Sequence, residues 1–596
     1  MAKAQKMEKP RAEWGSDVVV DLLKAFNFEY VSLNPGATFR GLHDSLVNYG
    51  GNHAPEIILC NHEEICVALA HGYARAKGRP MAAAVHNIVG LQHASMAIYN
   101  AWADRLPVIV LGGTGPMDTA NRRPWIDLVH TALVQGNLVR DFVKWDDQPG
   151  SVEAVPESFI RAYRLATTEP MGPVYICYDG DVQEKQLDGE VSFPSLDRYP
   201  APLPLQAPEE GFEKTIRWLL DAKKPVILAD WVGRKEAGFK ALGELAELLG
   251  APVLDQFGRF NFPVEHPLNL TGQADKVVPQ ADLILALDVP DLEGATVRRV
   301  QERGNRRAAP LMAANTKIIN VALDDLLVRA WATDFNKLRE ADLMILADTS
   351  VFLPELVRRL KSEKKLADQK SAIDARRADW AKIYEDKKAA LEKQRQIKWD
   401  EKPVAMTRVY AELAEVLKGE DWVLTNGTSG GKENFYLPAA KFNQILGKYK
   451  GGGLGYGLPA SLGAGPGAQG LGKTLCRHPA RRRPVIYRKR ALDRRASSDS
   501  AAHYCVQQPV LFQRRGTSGT DRDRPQSRGG EQDHRHPHRG SQRRLRRHGA
   551  HLRLLGRRSD HRAQGLDQDA ARGGEGGQRR QARAGRRGLP DAVRFF

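Results

Sequence analysis

EIILCNHEEICVALAHGYARAKGRPMAAAVHN, residues 56–87, is the stretch on which the fold turns. EIILC reads as a buried strand. EEICVALAHGYARAKG reads as a helix closed by Gly78, and RPMAAAVHN as the next strand. Two strands joined through a helix run parallel. Glu63 and Glu64 then open the helix just past the C-terminal end of the first strand, where α/β sheets place ligands. Burial there can raise a carboxyl pKa and suit it to proton transfer. The plain alternative is a pair of acidic residues stabilising a helix N-terminus.

Outward from this unit the same alternation continues. On the N-terminal side lie WGSDVVVDLLKAF (helix), FEYVSL (strand) and PGATFRGLHDSLVN (loop and helix). On the C-terminal side lie LQHASMAIYNAWADR (helix), PVIVLGG (strand) and GPVYICYDGDV. The Pro-rich RYPAPLPLQAPEE (198–210) reads as a linker. A second unit has the strands KPVILAD, APVLDQF, ADLILALD, TKIINVAL and ADLMILAD. Residues 361–400 are dense in Lys, Glu, Asp and Ala and read as a charged helical connector. A third unit begins at VAMTRVYAELAEVL, with strand WVLTN, and breaks off near Cys476. The expected fold class is α/β: three doubly wound parallel-sheet domains, the third incomplete, followed by a basic low-complexity tail. The boundaries are 1–190, 200–360, 361–400, 401–476 and 477–596.

The net charge of +17 suggests a nucleic-acid or anionic-membrane partner until it is divided. Residues 477–596 hold 30 Arg, 1 Lys and 11 acidic residues, a net of +20. The remaining 476 residues hold 58 basic and 61 acidic residues, a net of −3. The basic character thus belongs to the tail alone. Its composition argues for disorder, and its few aromatics argue against base stacking and a nucleic-acid partner. Five scattered cysteines argue for a reducing compartment and against a disulfide or zinc framework. No leader-like or membrane-spanning apolar run occurs, which leads to the expectation of a cytoplasmic protein without a membrane partner.

Two further stretches carry chemistry. His86 and Asn87 follow a strand and precede a helix, so they could face a ligand, although a lone His is more often structural. TNGTSGG (425–431), followed by GGGLGYGLPA, gives a strand, small residues and then a helix, an arrangement that cradles phosphate with backbone amides. The spacing Gly453-x-Gly455-x-Gly457 is not the dinucleotide fingerprint.

Together NPGATF (34–39), HEEICVALAHGYAR (62–75), NAWADRLPVIVLGG (100–113), GPVYICYDGDVQ (172–183), AELLGAPVLDQFGRFNFPVEHPLNLTG (246–272) and GGGLGYGLPASLGA (451–464) resemble the thiamine-diphosphate enzymes of the acetolactate synthase and benzoylformate decarboxylase group. The resemblance implies a pyrimidine-binding first domain, a central domain, a diphosphate-binding third domain and a 2-oxo acid substrate. It implies that Glu63 hydrogen-bonds the aminopyrimidine ring, so that the cofactor's own amine can deprotonate its thiazolium carbon. It makes Leu454, beside Gly453, the apolar wedge that bends the cofactor. Asn426, Gly427 and Thr428 become the first diphosphate-binding loop, and Pro35 and Gly36 the loop facing the thiazolium. His86 falls where benzoylformate decarboxylases place a catalytic histidine. Acetolactate synthases have Ser-Gly-Pro-Gly there, which this chain lacks. The resemblance further implies a homodimer or homotetramer with the site shared between chains, so that Glu63 and Leu454 of one chain lie far apart. It leaves FAD undecided, as it does the choice between a synthase and a benzoylformate decarboxylase-like lyase. A non-catalytic subunit or nucleic-acid binder using the tail is the reading from another class.

The family's Mg²⁺ motif, Gly-Asp followed about 25 residues later by Asn-Asn, is absent after Cys476, so the chain offers no metal ligands and is expected to be inactive as written. Shifted by one base, however, codons permitted for Arg477–Pro484 spell Val-Thr-Gln-Pro-Asp-Gly-Asp-Leu. The stretch from His503 permits an Asn-Asn about 24 positions beyond that Asp. The tail is therefore expected to be an out-of-frame translation beginning near Leu475–Arg477.

Overall fold

The computed structural model describes residues 11–124, 126–302, 305–326, 337–427, 433–447, 450–468, 474–477 and 486–487. The first six strands are β1 (Tyr30–Leu33), β2 (Glu56–Leu59), β3 (Met81–Ala84), β4 (Val108–Thr114), β5 (Asp146–Asp147) and β6 (Val174–Asp179). They form one sheet in the order β2-β1-β3-β4-β6-β5. Every pairing in it is parallel. Its helices include α1 (Gly15–Ala25), α2 (Arg40–Asp44), α3 (Glu63–Lys77) and α4 (Ile88–Ala103).

The two faces of this sheet carry separate cores. Ala82, Ala84, Ile109, Leu111, Val174 and Ile176 point into one, with Val18 and Leu22 of α1. Their neighbours Met81, Ala83, Val108, Val110, Tyr175 and Cys177 point into the other, with Val67 and Ala70 of α3 and Ala94 and Ile98 of α4. This period-two alternation, apolar on both sides, produces the doubly wound arrangement. EIILC differs from expectation. As β2 it lies at the sheet's edge and is only half-buried, because β1 covers one flank and no strand the other.

The second sheet contains β7 (Pro225–Ala229), β8 (Val253–Asp255), β9 (Leu283–Leu287), β12 (Lys317–Ala322) and β13 (Leu343–Leu346). Its order is β13-β12-β9-β7-β8, again parallel throughout. Between β9 and β12 the chain makes an antiparallel ribbon, β10 (Val297–Glu302) with β11 (Asn305–Pro310). A 27-residue helix, Lys370–Gln396, follows the sheet. It docks through the buried Trp380 and through Lys387, whose Nζ donates to the Asn269 carbonyl at 2.7 Å.

In the third region β14 (Trp422–Asn426) pairs in parallel with Thr474–Arg477, which pairs antiparallel with Ile486–Tyr487. This ladder includes Arg477 and Ile486–Tyr487. The rest of the tail lies outside the described residues. Helix Gly457–Ala468 packs along α3 at close range. A Cβ on Gly72 would fall 1.9 Å from the Ala460 carbonyl oxygen, and one on Gly463 1.9 Å from that of Leu69.

Candidate active site

The strand order places the switch point of the first sheet between β1 and β3, where the connections diverge to opposite sides. Three loops leave the C-terminal strand ends around this crevice: Asn34-Pro35-Gly36 after β1, His62-Glu63 after β2 and His86-Asn87 after β3. Such a crevice is where open α/β sheets hold ligands.

Glu63 is the first residue of α3 and is 4% exposed. Burial alone would raise its pKa. Hydrogen bonds from the Asn34 side chain, its own backbone N–H and His93 outweigh that, and the carboxyl is held below its ordinary value. The raised value that burial suggested is therefore not what the folded chain has. His93 Nδ1 lies 3.3 Å from Glu63 Oε2. Gly90 makes room for the carboxylate, since a Cβ there would lie 2.8 Å from Glu63 Oε1. Gly90 and His93 stand three residues apart and so share one face of α4.

His62 caps α3, its ring nitrogen accepting the Glu64 N–H. Its ring stacks on that of His93 with centroids 4.8 Å apart and planes 19° apart. The donor atoms of His62, Glu63 and His93 all lie within 4.8 Å of one another, a set that could in principle hold a metal. Nearly parallel imidazoles cannot both aim in-plane lone pairs at one ion, however, and His62 Nδ1 is already used by the cap. As built, His93 serves the carboxylate and His62 caps the helix.

His86 is half-buried. Its Nδ1 is hydrogen-bonded to Thr38 Oγ1, and its ring meets that of His130 edge-on at 5.1 Å. Burial, then the neighbouring His130, push its pKa down, and Glu63 partly offsets this. Glu63, Pro35, Gly36 and His86 thus gather at one crevice. Thr38, Asn34, Gly90, His93 and His130 complete it, and sequence reading gave none of these a role. The signal for His93 was its three-residue spacing from Gly90, legible once the helix start is fixed at Ile88.

The third region contributes a glycine loop. Lys450 N–H donates to Asp104 Oδ1 at 2.7 Å and Lys450 Nζ to Asp230 Oδ2 at 2.6 Å. Gly453 N–H donates to Asn100 Oδ1 at 3.3 Å, and a Cβ on Gly453 would meet Met96 Cγ at 2.5 Å. Gly452 and Gly455 have φ of +72° and +87°. Between them Leu454 is 87% exposed. A Cβ on Gly455 would lie 3.4 Å from Glu64 Oε1. The Leu454 loop therefore sits against the start of α3 and against α4 of the same chain. The tight Gly72–Ala460 and Gly463–Leu69 contacts hold the loop there.

Asn426 and Gly427 have other neighbours. Asn426 ends β14, buried, with its Oδ1 lacking a hydrogen-bond partner among the described residues. A Cβ on Gly427 would lie 2.0 Å from Glu433 Oε1. Thr428 lies outside the described residues.

Comparison with known proteins follows the same division. Residues 13–135 match the N-terminal TPP-binding domain of thiamine pyrophosphate enzymes, and residues 212–356 match their central domain. The probable acetolactate synthase large subunit of Methanocaldococcus jannaschii is 25% identical over 476 residues, covering 76% of this chain and 73% of that protein. The acetolactate synthase large subunit of Buchnera aphidicola subsp. Schizaphis graminum is 25% identical over 463 residues, covering 75% and 74%. In fold, the crystal structure of benzoylformate decarboxylase from Polynucleobacter necessarius superposes with a TM-score of 0.60 at 19% identity, over 78% of this chain and 80% of that one. The chain carries the N-terminal and central domains of the thiamine-pyrophosphate-dependent enzymes and is similar along most of its length to acetolactate synthase large subunits.

Proposed function

We propose that this chain, as a relative of the thiamine-pyrophosphate-dependent enzymes, is built to decarboxylate a 2-oxo acid and either release an aldehyde or join the fragment to a second carbonyl compound. The observation that carries this reading is Glu63, a buried carboxylate held ionised at the C-terminal edge of a parallel sheet, with His86 beside it. The residues fit the cofactor. Glu63 can accept a hydrogen bond from a pyrimidine ring, and Gly90 keeps that approach open. Leu454 offers a solvent-facing apolar surface. When bound, the cofactor supplies a carbanion sink for the carboxylate's departure.

The chain's own residues do the rest. Asn34 and His93 hold Glu63 charged and fixed in direction, and half-buried His86 stands ready to exchange a proton with the substrate's oxygen. Pro35, Gly36 and His86 border the space a 2-oxo acid would enter. His86 standing where synthases have Ser-Gly-Pro-Gly favours the decarboxylase outcome over the synthase one. We further infer that the Mg²⁺ ligands expected of the relatives are missing because the reading frame changes near Leu475–Arg477. A homo-oligomeric, cytoplasmic enzyme is part of the same proposal. FAD has no support beyond the resemblance.

The test uses a gene with the frame restored across the codons for Gly470–Arg483. Its product, given thiamine diphosphate and Mg²⁺, should release carbon dioxide from a panel of 2-oxo acids, and Glu63→Gln should abolish release while leaving the circular dichroism spectrum unchanged. Full activity in Glu63→Gln would sink the reading. Aldehyde or acetolactate among the products separates lyase from synthase.

A further inference from the structure

At the β1–β3 crevice the hydrogen bonds around Thr38 assign one proton. Thr38 Oγ1 has two partners among the described residues: His86 Nδ1, and the Asn87 backbone N–H, which donates to it at 3.4 Å. Thr38 is buried, and the described residues offer its hydroxyl proton no acceptor other than the imidazole nitrogen, so the arrangement that leaves no buried donor unmatched is donation from Oγ1 to Nδ1. A neutral imidazole that accepts at Nδ1 carries its own proton on Nε2. We propose that Thr38 is a positioning residue that holds His86 in the Nε2–H tautomer, so that the neutral ring offers the substrate a proton donor rather than a base.

Three further features support this assignment. The ring is kept neutral by burial and by His130, against the opposing charge of Glu63; these are the titratable groups that face it. Gly36 is required for the contact, because a Cβ there would lie 2.6 Å from His86 Nδ1 and push the ring off Thr38. Thr38 is itself braced. Gln183 Nε2 donates to its carbonyl at 2.9 Å, and β4 approaches so closely that a Cβ on Gly113 would lie 2.9 Å from Thr38 Cβ. A loop held from three sides fixes a hydroxyl direction more narrowly than a solvent-exposed threonine does.

The identity of the acceptor, a 2-oxo acid carbonyl, rests on the proposed function; the tautomer does not. The full chain labelled with ¹⁵N-histidine is read by long-range ¹H–¹⁵N correlation at a pH where His86 is neutral, with the His86 signals assigned by their loss in His86→Asn. Expected are a pyridine-type Nδ1 and a pyrrole-type Nε2. In Thr38→Val the two nitrogen shifts should move towards each other as tautomers mix, and in Thr38→Ser they should return. A pyrrole-type Nδ1 in the native chain, or an unchanged pattern in Thr38→Val, would overturn the proposal. Should Thr38→Val fail to fold, the native spectrum and Thr38→Ser still decide. None of these spectra needs turnover, so a lack of decarboxylation would refute the proposed function and leave the tautomer standing.

Discussion

Glu63 shows how two opposed effects settle one protonation state. Removal from water disfavours its charge, while Asn34, the α3 backbone and His93 favour it, and the favouring side prevails. A carboxyl held below its ordinary pKa stabilises the fold above that ordinary value, and this contribution is lost as pH falls through the folded-state value. Glu63→Gln should therefore be less stable than the native chain at pH 7, with the gap closing in acid. Urea denaturation at a series of pH values measures it; a gap independent of pH would show that the charge contributes nothing. Leu454 is the contrasting case. Because its side chain is 87% exposed, Leu454→Ala should change unfolding free energy by no more than about 0.5 kcal/mol. If it presses on a bound cofactor, the same substitution in the frame-restored protein should lower turnover. Unchanged turnover would remove Leu454 from the site.

At the scale of elements, α3 joins the first domain to the third region. Alanine is a better helix former than glycine by about 1 kcal/mol. Gly72→Ala should nonetheless destabilise by roughly 1–3 kcal/mol, because its Cβ would overlap the Ala460 carbonyl and force two packed helices apart. Denaturant midpoints decide between these signs. Next to Gly72 in α3, His71 is fully buried, with Nε2 3.1 Å from Asp104. Burial pushes its pKa down from 6.5 to about 4, against the pull of Asp104. The unfolded chain thus takes up a proton before the folded one does, and stability should drop as pH falls from about 6.5 to about 4. The loss is roughly 3–4 kcal/mol across that window, at about 1.4 kcal/mol per pH unit. His71→Gln should flatten that window, and an equally steep profile would rule His71 out as its cause.

What the sequence revealed at this scale follows from its periodicity. Four of the apolar runs of the central domain, β7, β8, β9 and β12, read directly as strands because both faces are buried, while β13, at the sheet's edge, leaves Met344 and Leu346 exposed. Residues 297–310 gave no such signal. VRRVQE and NRRAAP are rich in polar residues without alternation, and among the described residues they pair with each other. Glu63 and His86 were legible because each follows a strand end. Thr38 and His130 were not, because their meaning depends on a ring nitrogen 48 and 44 positions away in sequence, which only the folded sheet brings near.

For the whole molecule the deciding feature is charge compensation at the diphosphate end. Two phosphates carry close to three negative charges, and a glycine-rich loop answers with partial positive charges from amides. On the proposed reading a divalent ion held by Asp and Asn would supply the remainder, and in this chain an arginine-rich stretch stands where that motif is expected. Arginines could neutralise phosphate in a diffuse way, but they cannot reproduce an ion held by hard oxygen ligands at one place. Losing several charge-assisted contacts at roughly 1.5–3 kcal/mol each weakens binding by several orders of magnitude. Calorimetric titration of thiamine diphosphate into the chain as written should therefore show weak binding that does not respond to Mg²⁺. The frame-restored protein should bind tightly, with affinity falling when Mg²⁺ is chelated. Arginine-dependent binding to the chain as written would instead weaken steeply with added salt, as counterion-driven phosphate contacts do. Micromolar, Mg²⁺-dependent binding by the chain as written would show that its own sequence supplies the metal ligands, and the account of a lost frame would fall.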